Sequence, residues 1–185
     1  MKVSVLVPVY NLERFIAPCL ESLLTQQADF DYEVIAIDDG SSDGSWAIMQ
    51  HLASRYPQLR ALQNPQNIGL ARTQKRLLSE ARGDYIAYVD GDDLALPGKL
   101  QQQAAYLDDH PHCTLCYHEA DMFDDESGRT LKLFTRDYYN YRYLRPVGDI
   151  TDLIRYGCFV NASSIMFRRH ERMGEALNDG CKIIL

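Results

Sequence analysis

Gly83-Asp84-Tyr85-Ile86-Ala87-Tyr88-Val89-Asp90-Gly91-Asp92-Asp93 is the segment on which the architecture turns. Its middle is a short apolar run of the kind that forms a strand buried on both faces. It stops abruptly at Asp90, Asp92 and Asp93. Two upstream segments repeat the arrangement. Glu33 to Ile37 reads as a buried strand halted at Asp38-Asp39-Gly40-Ser41-Ser42-Asp43-Gly44-Ser45. Val3 to Val7 reads as another, ended by Pro8-Val9-Tyr10-Asn11.

Helical patterns lie between these runs. Leu12, Phe15, Ile16, Cys19, Leu20, Leu23 and Leu24 recur at helical spacing, and Trp46, Met49, Leu52, Ala53 and Tyr56 form a second stripe. The serines and Asp43 of the polar loop are suited to capping that second helix. A short strand is predicted near Arg60 to Gln63. After the turn-rich Asn64 to Gly69, Leu70 to Ala81 reads as a helix closed by Gly83 as its C-cap. Pro97 opens a helix to about Asp109. Farther on, Cys113 to Phe123 and Thr130 to Phe134 read as a hairpin around Asp125-Glu126-Ser127-Gly128. Asp152 to Tyr156 reads as a short helix and Ser164 to Phe167 as a strand. Strands alternating with helices imply an α/β fold with a mostly parallel sheet, followed by a smaller mixed, antiparallel part.

The 185 residues are 46% hydrophobic and 24% charged, enough for one domain with a sizeable core. A formal charge of −7 without a basic patch argues against nucleic-acid binding. Cys19, Cys113, Cys116, Cys158 and Cys181 are odd in number and irregular in spacing, which fits a reducing compartment. The first apolar run is too short for a signal peptide, and no run approaches the length of a membrane span. A soluble, cytoplasmic chain is expected, with peripheral attachment at the inner face of a membrane left open. The apolar ending Cys181-Lys182-Ile183-Ile184-Leu185 suggests a parent that continues.

Ligands of open parallel sheets bind beyond the carboxyl ends of the strands. All three punctuated segments fall on that edge. Carboxylates crowded there repel one another and resist ionising. A divalent cation relieves the crowding, and Mg²⁺ or Mn²⁺ takes one or two carboxylates together with water and phosphate oxygens. An Asp-x-Asp such as Asp90-Gly91-Asp92 supplies such a partial cage.

Four ordered blocks carry a resemblance. They are Val7-Pro8-Val9-Tyr10-Asn11, Asp38-Asp39-Gly40-Ser41-Ser42-Asp43, Asn67-Ile68-Gly69-Leu70-Ala71-Arg72, and Gly83-Asp84-Tyr85-Ile86 leading to Asp90-Gly91-Asp92-Asp93. In these the chain resembles the inverting glycosyltransferase family 2, closely over residues 1–110 and loosely beyond. The resemblance implies a Rossmann-like GT-A fold in a single domain, residues 1–110 binding the nucleotide and 111–185 forming a partial acceptor-side half. It implies that a nucleotide-sugar, typically a UDP-sugar, donates to a hydroxyl of a glycan or glycolipid. Pro8 and Tyr10 would line the nucleoside pocket, Asp39 would accept a hydrogen bond from the base, and Arg72 would lie near the nucleotide. Asp90 and Gly91 would line the ribose or donor sugar, Asp93 would either touch the donor sugar or support its neighbours from behind, and Asp92 would hold Mn²⁺ or Mg²⁺.

Two departures stand out. Thr73-Gln74-Lys75-Arg76 replaces the Asn and Gly that often follow Ala71-Arg72 in the family. The Glu-Asp pair that usually supplies the general base after a strand like Ser163 to Phe167 is absent; Asp179 is a weak candidate, and the base is expected beyond Leu185. If the 185 residues are the natural whole, the chain is instead a nucleotide-sugar binding module without efficient transfer. Other readings are weaker. A haloacid dehalogenase-type phosphatase would use Asp90 and the Asp38-Asp39 pair, but its nucleophile strand usually comes first. Zinc at His110, His112, Cys113, Cys116 and His118 conflicts with the alternation of a strand. Tyr138 to Tyr143 suits either a sugar platform or core packing, and Asn161, Ser163 and Ser164 are placed near the acceptor.

Overall fold

The computed structural model describes residues 1–139, 145–157, 159–171 and 173. Its main sheet begins with β1 (Val3–Val9), β2 (Tyr32–Asp38), β3 (Leu59–Gln63) and β4 (Tyr85–Tyr88), all parallel. The linking helices are α1 (Ile16–Leu24), α2 (Ser45–Arg55) and α3 (Leu70–Glu80). After α4 (Lys99–Asp109) come β5 (Leu115–Cys116), β6 (Asp121–Phe123), β7 (Thr130–Leu133), α5 (Phe134–Tyr139), α6 (Ile150–Tyr156) and β8 (Met166–Arg168).

The sheet order is β3-β2-β1-β4-β8-β5, with β8 antiparallel to both neighbours. The mixed α/β architecture agrees with the expectation. Both faces are covered, so the central strands have no polar side. Val3, Val5, Val7, Val34, Ala36 and Ala87 pack with Leu20 and Leu23 of α1, Met49 of α2 and Leu100 and Leu107 of α4. Leu6, Ile35, Ile37 and Ile86 pack with Leu77 of α3. The chain therefore steps outward from β1 to β3 over one face and returns over the other to start β4. That reversal makes the carboxyl edge between β1 and β4 a topological switch point, the crevice where such sheets bind ligands.

Three local expectations are corrected. Pro8 does not end β1, which continues to Val9. Leu6 O accepts from Val89 and Val9 O from Asp39, so even-numbered residues of β1 face β4 and odd ones face β2. The last β1–β4 pair is Leu6 with Tyr88, so the missing N–H of Pro8 points to a side that β4 has already left. Gly83 is not a left-handed cap; α3 ends at Ala81 in extended backbone. Glycine is required there because a Cβ would lie 2.4 Å from the Ser4 amide nitrogen. Cys113 to Phe123 is not one strand. β5 stops at Cys116 and joins the main sheet, while β6 and β7 alone form the hairpin. Glu119 intervenes, its carboxylate accepting from the Thr135 and Arg136 amides at the start of α5.

Candidate functional site

Three loops meet at the switch point, and hydrogen bonds fasten the first to the second. Asn11 adopts left-handed backbone at φ 55°, which its short polar side chain tolerates. Its amide donates to Ser41 Oγ and its Oδ1 accepts from the Ser42 amide, both at 2.9 Å. The Leu12 and Glu13 amides donate to Ser45 Oγ and Asp43 Oδ2, at 2.8 and 3.0 Å. Asp43 also accepts from the amide of Ser45, the first residue of α2, although the N-cap position itself is Gly44 and has no side-chain cap.

Asp39 is buried. Its Oδ1 accepts from Asn64 Nδ2 at 2.7 Å and the Ile68 amide at 3.0 Å, and its Oδ2 accepts from the Gly69 amide at 2.9 Å. These bonds shape the turn that launches α3. They leave room for one further donor on Oδ2, since a carboxylate offers about four acceptor positions. Gly40 at φ 71° lets the loop touch this turn, because a Cβ would lie 2.7 Å from the Asn67 nitrogen. Asp38 is committed inward. Its Oδ2 accepts from the Ser41 amide and Gln63 Nε2, and its Oδ1 is buried with no hydrogen-bond partner among the described residues. The five strand-end acids therefore divide into two that organise loops and three that crowd one loop.

That loop is Asp90 to Asp93. Gly91 brings it against β1, for a Cβ would lie 2.8 Å from Leu12 Cδ1 and 3.0 Å from Pro8 O. Burial pushes the Asp90 carboxyl up to about 6, with the charges of Asp93 and Asp92 adding to the rise. Burial also raises Asp93, against the opposing hydrogen bond from Ser163. Asp92 is exposed. No group of three or more His, Cys, Asp or Glu side chains among the described residues could hold a metal alone. The donor set fits Mg²⁺ or Mn²⁺ held by one or two carboxylates and completed by phosphate and water.

Pro8 is buried at the end of β1, and Tyr10 stands exposed beside it. Arg72 lies exposed in the first turn of α3, with no hydrogen bond or ion pair among the described residues. The structure thus brings Pro8, Tyr10, Asp39 and Asp90 to Asp93 to one edge, with Arg72 on the helix that Asp39 launches. Asp179 and residues 140–144 of the tyrosine-rich stretch lie outside the described residues. The zinc reading loses its ligands. Cys116 is buried against Gln103, burial pushes its thiol up to about 11, and His118 Nε2 is engaged by Lys99.

Lys99 is the residue that the sequence reading passed over. It occupies the same apolar stripe of α4 as Leu100, Gln103, Ala104 and Leu107, and only 7% of it is exposed. A lysine within such a stripe is the signal that could have found it. Its Nζ donates to Ser163 O at 2.8 Å, and burial pushes the ammonium down to about 8. Beyond it opens a mostly apolar cavity of about 740 Å³, lined by His118, Tyr106, Phe159 and Leu153 among others.

The sequence matches glycosyl transferase family 2 over residues 4–180. It is 33% identical over 162 residues to the uncharacterised protein Rv1520 of Mycobacterium tuberculosis, covering 86% of this chain and 45% of that one. It is 43% identical over 112 residues to the putative glycosyltransferase EpsE of Bacillus subtilis, covering 60% of this chain and 40% of that one. Among solved structures, S. aureus TarS 1–349 in complex with UDP aligns with a TM-score of 0.69 at 26% identity, over 91% of this chain and 47% of that one. The chain spans about half the length of the relatives it matches. The loops knit around the switch point and the match over nearly the whole chain lead to one conclusion: the protein belongs to glycosyl transferase family 2.

Proposed function

We propose that the chain is the donor-binding core of an inverting glycosyltransferase that uses a nucleotide-sugar, a UDP-sugar in the first instance. The observation that carries this reading is the convergence of the Pro8–Asn11, Asp39–Gly69 and Asp90–Asp93 segments at one switch point. The likeness to a TarS structure that holds UDP supports the choice of base. Pro8 and Tyr10 offer a wall for the nucleoside, Asp39 Oδ2 retains capacity for an N–H of the base, and Arg72 brings positive charge toward phosphate. Asp90 faces the ribose or sugar, and Asp93, turned onto Ser163, supports the loop from behind. Mn²⁺ or Mg²⁺ held by Asp92 would neutralise charge on the leaving diphosphate. A carboxylate base takes the proton of the attacking hydroxyl, which belongs to a glycan or glycolipid. We place that base outside the described residues, at Asp179 or beyond Leu185. No described helix is long and apolar enough to cross a membrane.

Calorimetric titration with UDP, in Mn²⁺ and in EDTA, tests the reading. Wild-type protein is expected to bind in Mn²⁺ and to lose at least about tenfold in affinity either in EDTA or with Asp92→Asn. Equal affinity of wild type and Asp92→Asn in Mn²⁺ would remove Asp92 from the metal site. No binding by folded protein in either condition would overturn the UDP assignment.

A further inference from the structure

The acidic loop does not hold itself. Its only internal backbone bond among those described runs from the Asp93 amide to Asp90 O, at 3.0 Å. Outside the loop, Cys19 Sγ donates to Asp90 O at 3.6 Å and Tyr88 bonds the Asp90 carboxylate, but the contacts that reach both Asp90 and Asp93 come from the 3₁₀ turn Ala162–Ser164, some seventy residues later in the chain. Ser163 Oγ accepts from the Asp90 amide at 2.9 Å and donates to Asp93 Oδ2. A hydroxyl can do both at once; a methyl group can do neither.

The turn is in turn fixed from α4. Lys99 Nζ donates to Ser163 O, and Gln103 Nε2 donates to Ser164 O, each at 2.8 Å. His118 stands behind Lys99, with Nε2 at 2.8 Å from Nζ. The other ring nitrogen, Nδ1, lies 2.7 Å from Glu119 O, which can only accept. Nδ1 therefore carries the proton and Nε2 accepts from the lysine. The chain of contacts runs His118, Lys99, Ser163, Asp93.

Its effect is to sort three crowded carboxylates. Asp93 is turned inward onto Ser163, the Asp90 backbone is held on the same oxygen, and Asp92 is left facing solvent. We propose that Ser163 is a positioning residue of the donor site, whose hydroxyl sets the conformation of Asp90 to Asp93, and that Lys99, backed by His118, sets Ser163. The proposal rests on reading the acidic loop as part of the donor site.

Two measurements separate the positioning from its use. Amide hydrogen exchange at Asp90 and Asp93 in the metal-free protein reads the first, and UDP titration in Mn²⁺ reads the second. Ser163→Ala is expected to speed exchange at both amides and to weaken UDP binding, each about tenfold, as loss of a hydrogen bond to a charged group implies. Ser163→Thr keeps the hydroxyl and is expected to restore both. Lys99→Met is expected to reproduce both changes, and the double variant Lys99→Met, Ser163→Ala to lose no more than the larger single effect. Unchanged exchange in Ser163→Ala would overturn the proposal, as would faster exchange with UDP affinity within about twofold of wild type. Additive losses in the double variant would remove Lys99 from it. Wild-type protein that binds no UDP defeats the donor reading instead, and exchange alone then decides whether Ser163 positions the loop.

Discussion

Lys99 places an ammonium group in the buried stripe of α4, beside Leu100, Gln103, Ala104 and Leu107. Burial lowers its pKa from 10.5 to about 8. Between those values the unfolded chain holds more protons than the folded one, so the lysine opposes folding at neutral pH and the opposition fades as pH rises. Wild-type stability should therefore gain on that of Lys99→Met between pH 7 and 10.5, by up to about 3 kcal/mol. Urea unfolding of both proteins at pH 7 and pH 10 measures the difference, and a difference that does not move would put the ammonium in solvent. Asp92 and Asp39 could be picked out from sequence because an acid directly after an apolar run is a local signal. Lys99 and Ser163 could not be paired, because the bond between them spans 64 positions and periodicity reports only neighbours. Asp39 was legible as a candidate site residue, but its three bonds to Asn64, Ile68 and Gly69 were not, since they depend on how β2 and α3 meet.

The parallel strands and their helices were legible because burial on both faces makes them continuous apolar runs, bounded by loops rich in glycine and aspartate. The part after α4 was read less well. β5 has two residues and its partner β8 three, too short for alternation to define. Gly83 was misassigned for a related reason. Sequence offers a glycine after a helix as a cap, whereas here it admits the backbone of β1. Ser4 Oγ accepts from the Gly83 amide at 2.8 Å and donates to the buried Glu33, which Arg60 neutralises from β3. This network closes the end of the sheet opposite the acidic loop. Gly83→Ala would push a methyl group into the Val3–Ser4 backbone and should cost about 3 kcal/mol of stability. A change in urea midpoint equivalent to less than about 0.5 kcal/mol would show that the strands can shift to admit it.

Burial is unevenly distributed over the chain. β1, β2 and β4 are enclosed between helices, whereas β6 and all of β7 but Leu133 are exposed. Exchange at the amides of β1 and β2 should require global unfolding, and those of β6 and β7 should exchange through local opening at much lower free energy. Native-state exchange at increasing urea distinguishes the two classes, and a common free energy would make hairpin and sheet one cooperative unit. The bond from Ser163 to Asp93 joins the two halves across seventy positions. A ribosome adds about 5–20 residues each second, so roughly 4–14 s separate the emergence of Asp93 from that of its partner. For that interval the nascent chain carries a nearly finished parallel sheet whose acidic loop has no clasp. The acidic loop is thus built in an order that leaves its geometry unset until Ser163 has been synthesised.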